Sequence, residues 1–142
     1  FLENLLEQIM PRRDFYTLQY SFKSGERVDA VIRIGKKLVP VDSKFPMESF
    51  SRFIGADNDE DKKRAKKEFV KAVREHINSI ADKYILPDED TYDFALMYIP
   101  AENVYYEAVI KDDDFGEGKS IFSQAISRKV IPVSPNSFYA YL

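Results

Sequence analysis

RVDAVIRIGKKLVPVDSK, residues 27–44, decides the architecture. Two apolar-rich runs flank Gly35-Lys36, and glycine followed by a second residue suits a type II′ hairpin loop. That turn sets Ile34 against Lys37, and counting back sets Asp29 opposite Asp42. Side chains alternate between faces along a strand. Val28, Ala30, Ile32 and Ile34 therefore share an apolar, core-facing side with Val39 and Val41. The other side carries Arg27, Asp29, Val31 and Arg33 with Leu38, Pro40, Asp42 and Lys44. A one-residue slip would exchange the two sets, so the pattern pins the register. Pro40 has no N–H to give, which predicts a gap, a bulge or a free edge at that position.

Opposed residues hold their Cβ atoms roughly 4.5–5.5 Å apart, and like charges so placed weaken a sheet. Asp29 and Asp42 thus ask for a neutraliser. A divalent cation is one candidate, with Lys44, about 6–7 Å along the strand, placed to stabilise developing charge. A solvated salt-bridge cluster, in which Lys44 relieves both acids, is the other reading.

Outward from the hairpin, Leu2, Leu5, Leu6 and Ile9 recur at helical spacing before Pro11. Residues 15–22 read as an aromatic strand, and Ser24-Gly25 turns the chain into the hairpin. Residues 46–55 form a short connection with room for a helical turn. A long helix is expected from Asp59 to Tyr84, with Phe69, Val73, Ile77, Ile80 and Tyr84 as its buried stripe. Acid at Asp57–Asp61 and base from Lys62 to Arg74 suit its dipole. Residues 92–99 form a nearly continuous apolar strand, as in a sheet covered on both faces. Helices at 102–111 and 120–128, a strand at 130–133 and a last helix opened by Ser134-Pro135 complete the chain. Strand, long helix, strand predicts a parallel crossover, hence a mixed sheet with helices on both faces.

The chain has 142 residues, 44% hydrophobic and 14% aromatic, which suits one domain with a substantial core. It has no cysteine, which excludes disulfides and thiolate metal sites, and its single histidine, His76, excludes a histidine-rich centre. No apolar run reaches the roughly 20 residues of a membrane span. The net charge of −3 argues against strong DNA binding by this domain alone. FLENLLEQIM looks like a helix entered part-way, so we expect a domain truncated at its N-terminal helix.

An acid on the second strand and Asp42-Ser43-Lys44 on the third resemble the PD-(D/E)xK nuclease superfamily, although Val28 stands where its proline would be. LENLLE, VDAVIRI, VPVDSK, VREHI (residues 73–77), FALMYIPAE (94–102) and the terminal IPVSPNSFYAYL resemble, in order, the RmuC family of bacterial DNA recombination proteins. The resemblance implies an α/β, restriction-endonuclease-like mixed sheet with flanking helices, an αβββαβ core plus C-terminal helices. It implies Mg²⁺ or Mn²⁺ on Asp29 and Asp42, aided by the Val41 or Ser43 carbonyl, with Lys44 as third catalytic residue in phosphodiester hydrolysis. A domain that keeps the fold but only binds DNA is the alternative. The resemblance further implies a cytoplasmic, nucleoid-associated protein that restrains recombination at short inverted repeats and assembles as a homo-oligomer through an upstream coiled coil. The family also carries a helix-borne glutamate upstream of residue 1.

Lys67, Lys71 and Arg74, with Lys44, are candidate phosphate contacts, against a merely solvated helix face. His76 is expected to be a satisfied, partly buried histidine beside the Val73–Ile80 stripe. Asp112, Asp113 and Asp114 are expected to be a flexible acidic loop rather than a cation site. Glu102 matches the family motif without a deducible role, Ser134 suits a helix cap, and Tyr105 and Tyr106 are expected to pack in the core rather than stack on bases.

Overall fold

The computed structural model describes residues 2–10, 15–110 and 120–141. In chain order these form α1 (Leu2–Ile9), β1 (Tyr16–Ser21), β2 (Arg27–Ile34), β3 (Lys37–Asp42), α2 (Met47–Ile54) and α3 (Asp59–Tyr84). Next come β4 (Ala95–Tyr98), α4 (Glu102–Tyr105), α5 (Ile121–Ser127), β5 (Val130–Val133) and α6 (Pro135–Tyr141). The acidic run at 112–114 lies outside the described residues.

The strands form one mixed sheet in the order β1-β2-β3-β4-β5. β1, β2 and β3 are antiparallel neighbours, whereas β3–β4 and β4–β5 are parallel. The expected crossover through α3 is present. Ile34 pairs with Lys37, as the turn predicts. Gly35 has φ +63° while Lys36 does not enter the left-handed region, which fits the II′ loop. Pro40 sits in the central strand, not on an edge. Its missing donor falls where the β3–β4 ladder breaks, between the Leu38–Thr91 bridge and the Val41–Leu96 pair.

Both sheet faces are covered, as the parallel crossover predicts, so the hairpin is buried on its carboxylate side as well. Ala30, Ile32, Val39 and Val41 pack with Leu2 and Leu6 of α1 and Phe138 of α6. Val31 and Leu38, assigned to the carboxylate side, are buried with Phe69, Val73 and Ile77 of α3. Ile34, expected in the core, is 46% exposed because the hairpin tip reaches past both helical layers. The fourth strand is shorter than 92–99. Residues 91 and 92 join the sheet through an isolated Leu38–Thr91 bridge and the Tyr92 N–H to Leu38 carbonyl bond, outside the regular strand.

α3 has the expected bounds and buried stripe. Asn58 caps it, its side chain accepting from the Asp61 N–H at 2.8 Å. Twenty-six residues make a helix of about 39 Å, far longer than the roughly 13 Å of a four-residue strand. Its first half therefore runs past the end of β3, where α2, two turns rather than one, folds onto it through Phe50 and Phe53. The helix expected at 102–111 is one α-helical turn followed by a π-helical turn, Tyr106–Ile110. Tyr105 packs against the core, but Tyr106 is 53% exposed.

Candidate functional site

Both acids of the hairpin are buried, Asp29 at 8% and Asp42 at 3% exposure. Solvent cannot carry their charge, so the chain must. The β2–β3 ladder stops at Ala30–Val41, one pair short of the expected Asp29–Asp42 pair. Asp29 instead turns its carboxylate to the chain leaving β3. Its Oδ2 accepts from the Ser43 N–H at 2.8 Å and from the Ser43 hydroxyl at 3.0 Å. Its Oδ1 lies 3.3 Å from Lys44 Nζ.

Gln19 explains the turn. It has φ +51° in the middle of β1, a left-handed conformation rare outside glycine. Tyr16 and Leu18 pack on the α1 face, yet Tyr20 and Phe22 pack on the α3 face. β2 switches at the same level, with Ala30 and Ile32 on one side and Val28 on the other. The ladder joins Leu18 to Ala30 and Tyr20 to Val28, which puts Gln19 level with Asp29. The face switch thus coincides with the acid. Replacing Gln19 with glycine removes the left-handed penalty, and we expect it to stabilise the fold by about 1 kcal/mol. Urea denaturation checks this, and a loss of stability would show that the glutamine side chain holds the kink.

Asp42 is served by a different element. Its Oδ1 accepts from the Lys44 N–H at 2.9 Å and lies 3.1 Å from His76 Nε2 on α3. Burial alone would raise its pKa, but His76 and then the Lys44 N–H outweigh burial and hold it below the usual carboxylate value. Tyr84, two turns beyond His76, is pushed up to about 12, first by burial and then by the fields of Asp42, Asp29 and Glu26. Its hydroxyl therefore stays protonated beside the two acids.

His76 is therefore no ordinary core histidine. Its ring nitrogen is buried against Asp42 without a well-aligned hydrogen bond. The helical position was legible, but α3 carries it onto the end of β3, which only the crossover fixes. Lys44, 68% exposed, lies beside Asp29 as expected. The other candidate phosphate contacts do not share this site. Lys67, Lys71 and Arg74 precede His76 by nine, five and two residues, which turns them about 180°, 140° and 160° away around the helix. Arg74 donates to Gln124 of α5, and Arg128 ties Asn78 and Asp82 of α3 to the same region.

Glu102 and Ser134 are helix-terminus residues. Ser134 and Ser137 cap each other's N–H groups, at 3.2 and 2.7 Å. The Glu102 carboxylate accepts from the Asn136 N–H at 2.9 Å. Among the described residues, no three His, Cys, Asp or Glu side chains converge as a cation shell, and no helix is long and apolar enough to cross a membrane.

No solved structure matches the chain significantly. A protein described as a DNA recombination protein RmuC homolog from Pseudomonas aeruginosa is 30% identical over 99% of this chain and 32% of its own length. The DNA recombination protein RmuC of Escherichia coli is 25% identical over 89% of the chain and 26% of its own length. A homolog from Vibrio cholerae is 28% identical over 89% of the chain and 25% of its own length. The chain thus spans about a third or less of the curated relatives it matches. The model of the RmuC family matches residues 1–142, from end to end, and the chain belongs to that family.

Proposed function

We propose that this domain is the phosphodiester-cleaving core of a DNA-processing protein acting in recombination, with a restriction-endonuclease-like fold. The observation that carries the reading is the gathering of Asp29, Asp42 and Lys44 where β3 ends, with both acids buried, the Lys44 ammonium beside Asp29 and its N–H on Asp42. The printed function of the relatives, DNA recombination, supports the substrate class. Asp42 is held ionised, as a hard oxygen ligand for Mg²⁺ or Mn²⁺ must be. Asp29 and Asp42 would hold the cation, which would polarise the phosphate and activate water. Lys44, exposed at the mouth of the site, meets the phosphate oxygens, while Ser43 keeps Asp29 oriented.

A second reading, DNA docking without cleavage, has its own observation. Each acid already has a partner, Ser43 and Lys44 for Asp29 and His76 for Asp42. One assay separates the two. Hairpin and linear DNA are incubated with the protein and Mg²⁺ or Mn²⁺. We expect strand breaks that chelator abolishes and that Asp42→Asn reduces at least about a hundredfold. Binding with no cleavage selects the docking reading, and cleavage unchanged by Asp42→Asn overturns the assignment.

A further inference from the structure

We infer that His76 Nε2 and Asp42 Oδ1 are adjacent donors to one divalent cation, so that this site selects a first-row transition ion over Mg²⁺. The inference deepens the cation-binding reading above and rests on it.

His76 Nε2 and Asp42 Oδ1 lie 3.1 Å apart. A neutral imidazole has one N–H and one lone pair, and a carboxylate oxygen only accepts. If Nε2 carries hydrogen, that N–H should point along the contact. It does not make an aligned bond, although the nitrogen is buried from solvent. If Nε2 carries its lone pair, two acceptors face each other and repel, unless a positive charge lies between them. Two ligands each about 2.1 Å from a metal and at right angles stand about 3.0 Å apart. The observed spacing fits neighbouring corners of an octahedron.

The surroundings allow it. Oδ1 also accepts from the Lys44 N–H, and a carboxylate oxygen has lone-pair room for a second partner. The Asp29–Ser43 bonds use neither Asp42 Oδ1 nor the His76 ring and stay intact. Two adjacent donors, with Asp29 across the site, are too few for a closed structural shell, and no tighter three-residue cluster stands among the described residues. Open positions are what a substrate phosphate and waters require. Nitrogen in the donor set decides selectivity. Mg²⁺ demands oxygen ligands and keeps its waters, whereas imidazole favours first-row ions, Zn²⁺ and Ni²⁺ strongly and Mn²⁺ least, which makes Mn²⁺ the most stringent probe.

The probe is Mn²⁺ itself, titrated into the protein and followed by electron paramagnetic resonance, with Mg²⁺ titrated by calorimetry. Mn²⁺ is expected to bind at least about tenfold more tightly than Mg²⁺, and its pulsed spectrum to show nitrogen coupling from one imidazole. His76→Gln, with folding verified by circular dichroism, should erase the coupling and bring the two affinities within about twofold. Mn²⁺ bound without nitrogen coupling in the unsubstituted protein overturns the inference, whatever the variant does. So does an absence of Mn²⁺ binding at millimolar concentration. Nitrogen-coupled Mn²⁺ without DNA cleavage upholds this site and sinks only the nuclease reading. Mg²⁺-dependent cleavage without nitrogen coupling does the reverse.

Discussion

Phe69→Ala is expected to cost about 3–5 kcal/mol of folding stability. Phe69 is fully buried and stands where α2, α3 and the chain leaving β3 meet. Its ring centroid lies 5.4 Å from Phe50, 6.0 Å from Phe45 and 6.1 Å from Phe53. Edge-on and stacked ring pairs at this spacing add about 0.5–1.5 kcal/mol each beyond area burial. This aromatic cluster is what holds α2 to α3. Truncating the ring opens a cavity that the three neighbouring phenylalanines cannot readily collapse to fill. Phe69→Leu keeps much of the volume and should cost under about 1.5 kcal/mol. Urea denaturation of the two variants provides the measurement. A loss below 1 kcal/mol for alanine would mean that α2 holds its place by other contacts. The consequence reaches the site, because Phe45 immediately follows Lys44 and loses its seat with the ring.

This region also shows what the sequence could and could not reveal. The 3.6-residue stripe from Phe69 to Tyr84 recurs long enough that only one helix fits it, and its bounds were legible to the residue. The hairpin register was legible because Gly35-Lys36 leaves one pairing for both strands. The burial of Val31 and Leu38 was not. A strand packed on both sides loses the alternation that marks a half-exposed one, and mixed polarity at 27–33 disguised it. The twist at Gln19 was hidden for a different reason. Left-handed backbone signals itself through glycine or asparagine, and neither stands there.

The candidate site was legible as composition and wrong in part as geometry. Asp29, Asp42 and Lys44 do meet, but counting along ideal strands placed the acids as a ladder pair. Asp29 leaves the ladder for Ser43 instead. His76 was visible as a lone histidine beside an apolar stripe, a pattern that says nothing of which strand the helix crosses. Its contact with Asp42 joins residues 34 positions apart and depends on the crossover packing of α3. The lysines of α3 illustrate the converse. A dense basic run draws the eye, but the same 100° per residue that buries Phe69 and Val73 turns Lys67 and Lys71 away from the acids.

Asp29→Ala and Asp29→Asn are expected to part sharply, and the difference separates scaffold from chemistry. Alanine removes the acceptor of two hydrogen bonds in a site that is only 8% exposed. Ser43 is only part-buried, so its N–H and hydroxyl each lose less than a fully buried unsatisfied donor, which costs about 1–3 kcal/mol, and a loss of about 2 kcal/mol is expected. Asparagine keeps a carbonyl oxygen for Ser43 and gives up only the charge. The Lys44 pair lost with that charge is worth little, since Lys44 is 68% exposed and can swing into solvent. Removing one of two neighbouring negative charges offsets part of the rest, and the net change should stay within about 1 kcal/mol. A cation bound only by the folded state raises the melting temperature by mass action, and neutralising one ligand should abolish that rise. We therefore expect Asp29→Asn to melt near the unsubstituted protein without divalent ions, and to lose the increment that millimolar Mn²⁺ gives. If asparagine is as damaging as alanine, Ser43 needs the full charge of Asp29 and the acid is first a structural cap. If asparagine retains the Mn²⁺ increment, Asp29 is not a ligand, and Asp42 with His76 carries the cation without it.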